Sequence, residues 1–73
     1  MIAINKQVKV IPSFDLSEMR LSGLAGRKGV VTERVFGSGS NPIGYMVLLE
    51  KSFQGEYLWF LPETALSYEE DSQ

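Results

Sequence analysis

Six carboxylates outside the C-terminal tail, Asp15, Glu18, Glu33, Glu50, Glu56 and Glu63, are the side chains here best suited to acid–base chemistry. Paired-carboxylate catalysis needs two of them facing one cleft, about 5–10 Å apart, one with its pKa raised by an apolar pocket. These six are scattered among loops and strand ends, and a chain of 73 residues has little room for a closed cleft. Solvated surface carboxylates are the simpler expectation. The sequence has no histidine and no cysteine. That excludes the commonest general base, the commonest metal ligand, thiolate zinc sites and thiol nucleophiles. Seryl catalysis would need an activating lysine, and Lys51 precedes Ser52, but successive strand residues point to opposite faces. Gly37-Ser38-Gly39 has the glycine spacing of a phosphate loop. Such a loop opens a helix, whereas here a strand-like run follows and no Gly-Lys-Ser/Thr accompanies it, so a hairpin tip is expected. No catalytic residue, metal or cofactor is assigned, and the protein is not expected to be an enzyme.

Two kinds of binding chemistry remain. Arg20, Arg27, Lys28 and Arg34 are four of the seven basic residues and share one short segment, opposed there only by Glu33. They could pair phosphates, with a tyrosine or tryptophan stacking bases; a solvated rim is the plainer reading. Phe36, Tyr45, Tyr57, Trp59 and Phe60 could form an aromatic protein-binding surface, as interfaces favour aromatic anchors. The plainer reading for these rings is the core. The net charge of −2 comes from a tail carrying Glu69, Glu70 and Asp71; without it the balance is +1. The tail, residues 69–73, is expected to be disordered.

The elements that must position these residues read as strands. Val8-Lys9-Val10-Ile11 alternates before Pro12 and predicts a first strand. Asp15 and Glu18 have capping-box spacing, but Gly23 and Gly26 allow only a turn or two of helix inside a long loop. Residues 29–36, 45–50 and 56–61 predict the second, third and fourth strands, rich in β-branched and aromatic residues. Residues 37–44 and 51–55 are turns, with Gly55 in the left-handed conformation. Residues 62–66 predict a 3₁₀ turn and Ser67-Tyr68 a short last strand. Tyr57, Trp59 and Leu61 face one way and Leu58 and Phe60 the other, so the fourth strand is apolar on both sides. Five short strands without a covering helix predict one all-β domain over residues 1–68, a five-stranded antiparallel barrel. No apolar run approaches the ~20 residues of a membrane span. Met1 to Ile4 lacks the character of a secretory leader, so a cytoplasmic setting without membrane attachment is expected.

Val8-Lys9-Val10, a long loop, then Gly26-Arg27-Lys28-Gly29-Val30-Val31 resembles the opening of SH3-like barrels that include KOW modules. Trp59-Phe60-Leu61-Pro62-Glu63-Thr64-Ala65-Leu66 resembles their close, where a strand runs into a 3₁₀ turn. The chain is also similar to the electron-transport accessory barrels. The resemblance spans residues 7–68 and implies an SH3-like fold and a non-enzymatic binding module. Its expected partner is another protein or a larger complex, a second copy included. Weak RNA or DNA binding of KOW type through Arg20, Arg27, Lys28 and Arg34 is the second choice. Proline-rich ligands are not expected, because Phe14 is the only aromatic of the first loop.

Overall fold

Residues 1–68 are described by the computed structural model; the tail expected to be disordered lies outside them. Five strands form one antiparallel sheet: β1 (Gln7–Val10), β2 (Lys28–Phe36), β3 (Pro42–Phe53), β4 (Glu56–Pro62) and β5 (Leu66–Ser67). The order across it is β4-β3-β2-β1-β5. The sheet curls into a half-open barrel, the SH3-like architecture expected. β2 explains the curl. Its first residues pair with β1, Lys28 opposite Lys9 and Val30 opposite Gln7, while nearly its whole length pairs with β3. Between Val31 and Glu33 the β2–β3 register shifts, and such a bulge bends a strand and sharpens its twist.

The boundaries differ from expectation in ways that turn chemistry explains. β1 spans Gln7–Val10, one residue earlier than expected. β3 starts at Pro42, inside the expected turn; proline is tolerated as the first residue of a strand, where no ladder donor is needed. At its other end β3 reaches Phe53, so the loop expected over 51–55 shrinks to Gln54 and Gly55. The helix, α1 (Phe14–Glu18), is capped by Ser13 rather than Asp15: the Ser13 hydroxyl accepts from the Leu16 amide at 3.0 Å. The last strand is Leu66–Ser67, not Ser67-Tyr68.

Inside the curl lie Val8, Val10, Val31, Tyr45, Val47, Leu49 and Leu61, one face of each strand. The long loop between β1 and β2 supplies Leu16 from α1 and Leu24 from a 3₁₀ turn (Ser22–Leu24), both fully buried. Both ends of that loop are tied down: the Ile11 amide donates to the Ala65 carbonyl at 2.8 Å and the Gly26 amide to the Val10 carbonyl at 2.7 Å. The Thr64 hydroxyl, in a second 3₁₀ turn (Glu63–Ala65), donates to Asp15 at 2.7 Å and fastens α1 to the end of β4. Among the described residues no charged side chain is buried.

Candidate functional site

The inner face of the sheet takes most of the aromatic residues. Tyr45 is fully buried and is the largest side chain of the core, which corrects its expected place on a binding surface. It faces inward because it pairs with Leu61 across β3–β4, and its hydroxyl accepts from the Ile2 amide at 2.9 Å. Trp59, opposite the buried Val47, also faces inward and packs against the core. Its indole donates to the Glu56 carbonyl at 3.0 Å and its ring meets Phe53 edge-on, with centroids 5.6 Å apart. Phe53 is capped by the Arg27 guanidinium at 5.0 Å and lies against Gly23 of the long loop. The loop thus covers Phe53 rather than an outward ring.

Phe36 and Tyr57 are half exposed, at opposite ends of the β3 ladder: Phe36 pairs with Pro42 at the start of β3, and Tyr57 follows the turn at its end. With β3 twelve residues long, those ends are tens of ångströms apart. Of the five expected aromatics, Phe60 alone is on the outer face of the sheet. They do not make one surface.

The outer face nonetheless carries an apolar patch, made mostly of aliphatic residues. Leu48 and Leu58 are direct cross-strand partners, exposed to 47% and 50%. Next to them Met46 pairs with Phe60, and Val30 opposes Leu48 from β2. The Phe60 ring lies across Gly44, where an added Cβ would fall 2.5 Å from its Cζ. Alternation along β3 and β4 signals this patch, but attention to ring type alone passes over Leu48 and Met46.

The four basic residues of the expected cluster are drawn apart. Arg34 pairs with Tyr45, so it faces inward, and its Nε donates to the Ile2 carbonyl at 3.0 Å. Arg27 is engaged by the Ser52 carbonyl at 3.2 Å and by Phe53. Arg20 is exposed in the loop after α1. Lys28 faces outward opposite Lys9, six residues and about 20 Å along β2 from Arg34. The carboxylates are spread as well: Asp15 accepts from Thr64, Glu50 from Gln7 Nε2 at 3.4 Å, and Glu63 from the Tyr45 hydroxyl at 3.4 Å. Among the described residues no cluster of three or more potential metal ligands forms, and no helix is long and apolar enough to cross a membrane. No protein-family model, curated protein or solved structure matches this chain.

Proposed function

We propose that this protein is a non-catalytic accessory module of the cytoplasm that binds another protein through the outer face of β3 and β4. The observation that supports this is the pairing of Leu48 with Leu58, both half exposed, across the edge pair β3–β4. An antiparallel sheet with one face on the core normally alternates apolar inward and polar outward. Here Met46, Leu48, Leu58 and Phe60 break that pattern on the water side. A contiguous apolar patch is the composition of an interface centre. The resemblance to KOW modules and electron-transport accessory barrels belongs to the same reading, since such barrels act as binding scaffolds.

The test compares the wild type with a Leu48→Ser, Leu58→Ser double variant. A photo-crosslinking residue replaces Phe60 in one preparation and Lys51 in another, in the protein's own cells. Crosslinks to a single partner from position 60 but not from position 51, lost in the double variant, are the expected result. Sedimentation of the purified chain tells a second copy from a different protein. Equal crosslinking from both positions, or a double variant that captures the partner as before, would overturn the reading.

A further inference from the structure

The two edges of the sheet differ. β5 is two residues long, and a very short edge offers little to pair with. β4 is seven residues long and, among the described residues, pairs only with β3. The chain continues past residue 68 from β5, at the opposite edge. Successive residues of an antiparallel edge strand turn their main-chain N–H and C=O alternately toward the neighbour and away from it. Two observations fix which residues of β4 turn away. The Leu61 carbonyl oxygen lies against Gly44 of β3, 2.6 Å from where a Cβ would stand, so Leu61 and Trp59 turn their main-chain groups to β3. Pro62, which has no N–H, sits opposite Gly44, and a sheet tolerates proline where the missing donor would point to the open side. Phe60 and Leu58 share the parity of Pro62. Among the described residues no main-chain hydrogen bond outside the strand ladders reaches either of them. Their N–H and C=O groups thus line the open edge.

We infer that β4 is the pairing edge for a second copy of this chain, the two sheets joining antiparallel about Trp59 into one continuous sheet. The edge is complementary to itself. About a two-fold axis at Trp59, Leu58 of each copy stands opposite Phe60 of the other, and their open donors and acceptors meet in about four hydrogen bonds. The side chains agree with the main chain. Leu58 and Phe60 become cross-strand neighbours on the outer face, and Tyr57 and Leu61 on the inner one, aliphatic against aromatic in each case. No charged residue lies between Tyr57 and Leu61, so the pairing sets no charge against its like. Every copy brings this matching stretch, apolar on both sides, whereas a foreign strand would have to bring it by coincidence. The pairing uses the edge and leaves the outer face open. It therefore does not rest on the docking of another protein there, and it sets two docking faces side by side.

The experiment follows the purified full chain by sedimentation equilibrium from about 1 μM to 1 mM, the span in which a short contact associates. The mass should rise from one chain toward two and stop there. Leu58→Lys and Phe60→Glu should each weaken the dimer at least ~5-fold. Mixed in equal amounts, the two variants set Lys against Glu across the new ladder, and association should return to within about 3-fold of the wild type. Leu48→Ser alters the outer face but not the edge, and should leave the dissociation constant within about 2-fold. Hydrogen exchange read by NMR should find the Leu58 and Phe60 amides open in dilute wild type and protected in concentrated wild type, whatever the variants do to folding. A chain that stays monomeric, a mass that grows beyond two chains, a mixture without recovery, or amides already protected in the monomer would overturn the inference. So would a loss from Leu48→Ser as large as from Leu58→Lys, which would move the contact to the outer face. A monomeric chain whose position 60 still crosslinks to another protein would overturn the pairing alone and leave the docking face standing.

Discussion

The phenol of Tyr45 makes two bonds that phenylalanine could not. It accepts from the Ile2 amide at 2.9 Å, in the interior, and donates to Glu63 at 3.4 Å. Tyr45→Phe keeps the ring's packing but strands the Ile2 N–H, at a cost of about 1–3 kcal/mol. Each kcal/mol lowers Tm by roughly 4–8 °C in a domain of this size, so thermal denaturation reads the loss; an unchanged Tm would mean the amide has another partner. Gly44 is constrained differently. A Cβ there would meet the Phe60 ring at 2.5 Å and the Leu61 carbonyl oxygen at 2.6 Å. The ring can swing away, but the carbonyl belongs to β4, so Gly44→Ala must push β3 and β4 apart. The expected cost is about 1–3 kcal/mol, with a shift of the Phe60 ring signals in NMR spectra; a variant as stable as the wild type would show that β4 can yield.

At the level of elements, the β3–β4 hairpin turns on two residues with positive φ, Gln54 at 52° and Gly55 at 82°. A two-residue turn with both φ positive favours Asn-Gly, because asparagine tolerates the left-handed region that strains glutamine. Gln54→Asn should therefore raise stability by about 0.5–1 kcal/mol, visible as a higher denaturant midpoint with unchanged slope; a lower midpoint would mean that the Gln54 side chain holds something the turn needs. Strand identity and sheet type were legible in the sequence because alternation and β-branching act locally. Strand ends were less so. Pro42 and Phe53 extend β3 because β2 and β4 offer partners there, which is a tertiary effect. The candidate sites were legible only in part. Tyr45, Trp59 and Phe60 share one residue class, and only the register decides that the first two face the core. The opposed pair of Lys9 and Lys28 was hidden because the two strands that carry them are joined by a long loop.

For the molecule as a whole, one curled sheet buries a single face and leaves the other in two parts, bearing opposed lysines over β1 and the start of β2 and apolar over β3 and β4. The apolar part ends at β4, which pairs only with β3. From Tyr57 to Leu61 that edge has no charge, although exposed edges are usually guarded by lysine or proline; only Pro62 closes it. If Leu58 is kept for contact, its removal should leave the fold nearly untouched. Leu58→Lys, at a half-exposed position, should change stability by no more than about 0.5 kcal/mol, and it should reduce concentration-dependent light scattering by placing a gatekeeper on the edge. Leu61→Ala, three residues along the same strand but fully buried, should cost about 2–5 kcal/mol. The comparison separates a surface kept for binding from one kept for packing. Should Leu58→Lys melt as early as Leu61→Ala, the outer leucines would be part of what holds the sheet together, and the docking face would lose its support.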